Sequence, residues 1–520
     1  NLGINQGTFA APPPTVALNA GAFPVTGTNS YKILPAVATS ITIGAAGTYP
    51  TLTGAGGLFA TINGSGLSGN TTVTILDASI TETGANALNA MTYGCGGPFT
   101  LTIKPGAGVN AVLTGAVGSG AIIKLNGADN VIIDGSNNGS SSRNLTIQNT
   151  TTTSSGNAVV WLASPATGNG STNNVIKNCI IEGNAPTTSF MGMYVGGSTT
   201  ISLTAAGLEL NSNNTITNNL FRKTQYGLFL FGFATASPDN GSVVSNNLFG
   251  TSTAGEGFSI EALHAERQIN MVVSGNDVQN VRGSSSTNMY GIRLLDFKNG
   301  QAFNNKVHNL AYTSTSTTKI YGLALQSATY TTAGNPSQAT IYNNAIYDIT
   351  STGTSAVWNL TGVLAGQGYG DKYYYNSIHL SGQINNSTSG LSAAFANGDD
   401  NITTFGTNMD VRNNIFNLTG SSLGGNVWAY YSKATTLAGT TQSNNVLRCA
   451  GTGATNNTAR LNGVNYTTLA AWQTASGVDA GSLESDPLFN SSTNLQPQVG
   501  SPVINAGVPI SGITTDITGF

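Results

Sequence analysis

Charge is what this chain has least of. Only 8% of its 520 residues are Asp, Glu, Lys or Arg, against about 25% in an average soluble protein. Net charge is -3 without a basic cluster, so neither a nucleic acid nor an anionic membrane surface is an expected partner. Cysteine is nearly missing as well. Cys95, Cys179 and Cys449 are an odd, widely spaced set, implying neither a disulfide framework nor a zinc site. No apolar run approaches the ~20 residues of a membrane helix, so membrane insertion is not expected. Residue 1 opens no signal peptide, which leaves a processed or partial chain. P-loop and HExxH motifs are absent.

Against these absences stand 66 glycines, abundant Asn, Thr and Ser, and a hydrophobic fraction of 39% that includes 18 Phe and 18 Tyr. That apolar content supplies a core that disordered chains lack. A motif organises it: VVSNNLF at 243–249 recurs as TITNNLF, TIYNNAI, DVRNNIF and QSNNVLR, with weaker copies VVSGNDV, AFNNKV and YYYNSI. In register, the second polar residue is Asn219, Asn247, Asn276, Asn305, Asn344, Asn376, Asn414 or Asn445, with Cys179 in the same slot. Steps run from 28 to 40 residues, as for a coil of fixed circumference that throws its surplus out as loops. Asparagine tolerates a left-handed bend, and its amide can bond the same amide one coil away, so a stacked asparagine ladder is expected. The flanking β-formers predict parallel strands that pair coil to coil about 4.8 Å apart.

The first 39 residues differ, with Pro12, Pro13 and Pro14 in a row and no charge before Lys32. They read as an extended arm preceding a repeat domain over 40–520. GGLFATING predicts a capping helix within about 51–66, stopped at Gly64. A second cap is predicted over about 465–520, with Thr467 or Thr468 as N-cap, Leu469 and Trp472 on one face, and Gly477 as the stop. DPLFN, SPVINAG and ITTDITGF then return to strand and turn. The fold class is all-β: a right-handed parallel β-helix with short capping helices and an N-terminal arm.

The runs TYPTLTGAGGLFATINGSGLSGNTTVTIL, NNVIKNCII, SNNTITNNLF, LESDPLFN and SPVINAG resemble the right-handed parallel β-helix repeat proteins of the pectin-lyase-like superfamily. More narrowly they resemble modules of secreted Bacteroidota surface proteins. The likeness spans roughly residues 41–520 and implies the fold and export across the outer membrane by a type IX route. Lyases, hydrolases, epimerases, adhesins and tailspikes share that superfamily, so the resemblance leaves function open.

Residues 256–298 concentrate nine of the 39 charged residues, with His264 among them. Aligning strands on their opening glycine places Phe229, Ser259, Arg293 and Ala324 in one outward column. Glu261 becomes a diagonal neighbour of Arg293, and Asp296 lies past the strand end. These are candidate catalytic residues, since the resemblance implies Arg or Lys bases beside acidic, calcium-binding residues. The same residues also make sense as a surface salt-bridge patch. Asp399 and Asp400 in NGDDN are candidate calcium ligands, although no cofactor is required; a plain turn is the alternative. Tyr373, Tyr375, Trp428 and Tyr430 are candidate sugar-stacking residues or core. His308 and His379 read as surface residues. Two functions compete: an extracellular structural or adhesive β-helix that self-associates through its arm, and a carbohydrate-active or glycan-binding module whose partner is a polysaccharide.

Overall fold

The computed structural model describes residues 37–94, 96–284, 287–399 and 404–517. Apart from residues 37–39, the arm therefore lies outside the described residues. The chain winds into a β-solenoid of about 13 turns, right-handed as parallel crossovers are, with two short helices among the described residues. Each typical coil contributes a strand to each of three sheets, of 13, 15 and 12 strands. Val243–Ser245, Leu248–Phe249 and Phe258–Ile269 make one such coil.

Corners between sheets explain the sequence motif. In each polar pair the first residue turns the chain: from Asn178 and Asn218 to Asn413 and Asn444 these asparagines have φ of 52° to 61°. Gly275 and Tyr375 do the same in the two deviant copies. Asparagine is among the few side chains that visit this region at low cost. The other corners use the same device, with Asn213 and Asn270 before the 13-stranded sheet and Lys223, Asn280 and Asn309 after the 12-stranded one.

The second residue of each pair faces inward and stacks. Asn305 Oδ1 accepts from both the main-chain N and Nδ2 of Asn276, at 3.0 and 2.9 Å. In turn Asn305 Nδ2 donates to Val273 O and to Asn344 Oδ1, each at 2.9 Å. This pattern runs unbroken from Asn219 to Asn445. Cys179 joins it only through its main-chain N, which donates to Asn219 Oδ1. At the far end Asn445 donates to Ser482 Oγ and Asp479 Oδ1, which close the series.

Beside the ladder, aliphatic side chains align in register. Ile103, Ile133, Ile176, Ile216, Val244 and Val273 succeed one another on the inner face of the 13-stranded sheet. Tyr373 continues that column, and Tyr430 occupies an inner column of the 15-stranded sheet beside Phe395. Both rings are therefore core and unavailable to a sugar. Trp428 points the other way yet is fully covered, its indole N–H donating to Asn465 Oδ1 at 3.1 Å. Tyr375 is tethered to the C-terminal tail, its hydroxyl donating to Val508 O and accepting from Ile510 N. Tyr373, Tyr430 and Trp428 thus present no open face to a ligand.

Both predicted helices are present. Leu58–Ser65 buries Leu58, Phe59 and Ile62, and ends at Gly66 rather than Gly64, because Gly66 supplies the terminal N–H to Ile62 O at positive φ. Leu469–Ser476 starts at Thr468, whose hydroxyl accepts from Ala471 N, and ends at Gly477 in the left-handed region. Beyond it, SPVINAG and ITTDI form turns and extended chain instead of strand. This tail runs back along the corner column: Asn444, Asn413 and Asn343 donate to Ala506 O, Val508 O and Thr515 O.

Replacing Asn305 or Asn247 with Leu strands ladder partners on both sides in a buried setting. Each substitution is expected to cost ~1–3 kcal/mol, read as a lowered thermal midpoint; unchanged midpoints for both would show that the ladder does not stabilise the fold.

Candidate functional site: a charged cleft on the outer face

The 15-stranded sheet carries the charged cluster on its outward face. Its register runs Phe229, His264, Arg293, Ala324, so His264 takes the place expected for Ser259. Tyr226, Glu261, Tyr290 and Tyr321 form the adjacent column. The misplacement has a simple cause. Gly227, Gly291 and Gly322 share one slot, but in the intervening coil that slot holds Ala262, while Gly257 belongs to the turn before the strand. Ser259 instead donates to Pro186 O at 2.7 Å.

Glu261 and Arg293 do meet. Arg293 Nη1 donates to Glu261 Oε1 at 3.0 Å, and the other oxygen, Oε2, lies 2.7 Å from His264 Nδ1. On its far side, His264 Nε2 lies 3.4 Å from Glu266 Oε2. The imidazole is stacked on Phe229 with centroids 4.0 Å apart, which fixes the ring plane. Arg293 in turn lies over Tyr290, 4.5 Å from its centroid. The result is a chain of groups, Glu266 to His264 to Glu261 to Arg293, along the floor of a cleft of about 350 Å³ that Tyr226, Tyr290 and Leu203 help to wall.

Glu261 and His264 are each only 3% exposed. Burial alone would raise the Glu261 carboxyl, but the charges on His264 and Arg293 outweigh it and hold the group below its ordinary range. For His264, burial works against the charged ring, while Glu261 and Glu266 more than offset it and raise its pKa. An ionised glutamate and a protonated histidine therefore face each other in a nearly dry setting. Such opposed shifts are those of an ion pair that keeps both groups charged. Arg293 Nε is buried without a hydrogen-bond partner, so the guanidinium is not saturated by Glu261.

Other candidates fall elsewhere. Asp296, at positive φ, accepts from Thr329 N and Oγ1 at 2.8 and 2.9 Å, fastening a loop outside the cleft lining. Asp399 is fully buried, takes a hydrogen bond from the Tyr321 hydroxyl and has Lys319 Nζ 4.0 Å away. That setting is unlike an open calcium loop; Asp400 lies outside the described residues. Among the described residues no group of three or more His, Cys, Asp or Glu side chains is placed to hold a metal. His379 is buried against Asn417, contrary to its expected surface position, and His308 pairs with Asp277. Sequence reasoning missed His264, Glu266, Tyr226 and Tyr290 as partners. The signal was available in the repeated YG dipeptides, which align with Glu261-Ala262 once the alanine is admitted to the glycine slot.

No family model and no curated protein matches the chain. Solved structures do match along most of their length. The A-module of Azotobacter vinelandii mannuronan C-5 epimerase AlgE6 is 15% identical, over 81% of this chain and 92% of that one, with a TM-score of 0.38. A PL6 family polysaccharide lyase from Pseudopedobacter saltans is 12% identical, over 85% and 98%, at 0.36. Pectate lyase Pel9A is 13% identical, over 93% and 94%, at 0.29. These scores are low, and the fold assignment rests on the strand register itself.

The opposed shifts set a pH dependence. A raised His264 contributes stability that is complete below its ordinary value of 6.5 and lost as pH climbs through its folded value. A lowered Glu261 contributes above its ordinary 4.5 and loses that contribution as pH falls through its folded value. Asp239 and Asp371, both raised to about 7 by burial, also titrate, so the readout is a difference. The stability of wild type minus that of His264→Gln is expected to peak between these limits and to shrink as pH rises through the folded value of His264; a difference independent of pH would contradict the ion pair.

Proposed function

We propose that the chain is a carbohydrate-active β-helix that acts outside the cell on a polysaccharide laid across the Glu261–His264–Arg293 cleft. The observation that carries this reading is the burial of an interlocked Glu, His and Arg in a chain with so little charge. Taking ionised groups out of water is costly, and removing one partner of such a set leaves an uncompensated charge. A structural or adhesive role suits the long uncharged surface, but gives no reason to sequester these groups at the floor of a cleft.

In this reading Glu266, less buried than Glu261, takes a proton from the sugar carbon or from an attacking water, and His264 gives one to the departing glycosidic oxygen as its C–O bond breaks. Glu261 orients the imidazole and keeps it charged. Arg293 positions the sugar with the part of its guanidinium that Glu261 leaves unused, and Tyr226 and Tyr290 border the bound ring. The reaction class is lysis or hydrolysis of a glycosidic bond. Self-association through the arm is carried by no described residue and remains a separate proposal for the first 39 residues.

A screen of uronate polymers and neutral glycans is expected to find one that is cleaved. Arg293→Ala should then lower kcat/KM by ~100-fold or more, with His264→Gln similarly impaired. Failure of the wild type on every polymer, or full activity in both variants, would sink the catalytic reading.

A further inference from the structure

A second cavity, larger than the charged cleft, measures about 690 Å³ and lies where the C-terminal tail passes over the outer face of the 12-stranded sheet. Its floor is a dip in one outward column: Lys306 is followed in register by Ala345 and Ser377, two small side chains where the next coil brings Ile415. Tyr347 forms a side wall, held flat by stacking on His308 at 4.9 Å and 3°. Two stretches of tail, 493–497 and 513–517, complete the enclosure. The second is anchored by the hydrogen bond from Asn343 to Thr515 O and follows the Tyr375 and Asn413 bonds to Val508.

We propose that this cavity binds a short neutral glycan, independently of the charged cleft. Three observations select that chemistry. Pro497, Ile513 and Ile517 give apolar walls, while Thr493, Asn494 and Gln496 add hydroxyl and amide groups, the mixture that polyols satisfy. Lys306 and Asp516 bring one charge of each sign, so a polyanion gains no net attraction. A peptide strand, in turn, finds no edge: Lys306–His308, Ala345–Tyr347 and Ser377–Leu380 are already paired on both sides within their sheet. The floor's polar main-chain groups are committed to the solenoid, and side-chain amides and hydroxyls are what remain. Volume agrees, since a cavity of several hundred Å³ accommodates two or three sugar rings. The site stands on its own geometry and does not require the cleft to be catalytic. If both hold, the chain grips a polymer at one face while the cleft works on another.

The test is binding of a panel of neutral trisaccharides to the whole chain, followed by calorimetry and by chemical-shift changes of labelled tyrosine. At least one trisaccharide is expected to bind and to shift Tyr347. Ala345→Trp, which fills the dip from an outward position, should weaken binding by at least about tenfold. Asn494→Ala together with Gln496→Ala, confined to exposed tail residues, should weaken it without affecting the thermal midpoint. The Tyr347 shift should persist in Arg293→Ala. Absence of binding across the panel would overturn the proposal. So would binding that survives both tail-pocket variants but is lost in Arg293→Ala, because the glycan would then occupy the cleft. Turnover at the cleft is scored separately, so either site can fail without the other.

Discussion

The structure depends on one constraint: buried amides must find partners, and in this chain each asparagine finds them in the asparagine of the next coil. An unsatisfied buried amide costs more than a satisfied one contributes, which makes the ladder a register device as much as a source of stability. A coil displaced by one residue would break its links to both neighbours and turn its aliphatic side chains outward. Left-handed corner residues make the geometry possible by letting the chain turn sharply just before each rung. Loops of any length can then leave a coil, provided the chain returns in phase.

Locked register is also what assembles the candidate site. Tyr226, Glu261 and Tyr290 are far apart in sequence, yet they occupy consecutive rungs of one outward column, as do Phe229, His264 and Arg293. Stacking of like positions would normally place like charges together. Here unlike residues succeed one another, so that a carboxylate, an imidazole and a guanidinium neutralise each other at short range. With few other charges on the chain, the field in the cleft is governed by these groups and little screened by water. Phe229 and Tyr290 hold the cations from the sides, and the shifts of Glu261 and His264 follow from that enclosure.

Much of the fold was legible because a solenoid writes the same instruction repeatedly. The ladder positions from Asn219 to Asn445 could be aligned by their apolar flanks alone, and the second helix announced itself through Thr468 and Gly477. What was not legible depended on depth and on exceptions. Tyr373 and Tyr430 looked like surface stacking residues, but their registers put them in inner columns. Asp296 had the right chemistry and neighbourhood, yet its positive φ turns it toward the Thr329 loop. Ala262 in a glycine slot displaced one strand in the sequence alignment and concealed His264. The tail was hardest, since its course over the corner asparagines is set by hydrogen bonds from side chains 62 to 172 residues away, such as Tyr375 to Val508.

The central claim is that the outer-face cleft is where this protein meets its polysaccharide. It is tested most directly by a crystal structure of the chain soaked with an oligosaccharide taken from a polymer that the chain binds in solution. The account predicts a sugar ring between Tyr226 and Tyr290, with a ring substituent within hydrogen-bonding distance of Arg293 and an oxygen facing Glu266. A ligand seated elsewhere on the solenoid, with no sugar in the cleft, would contradict it.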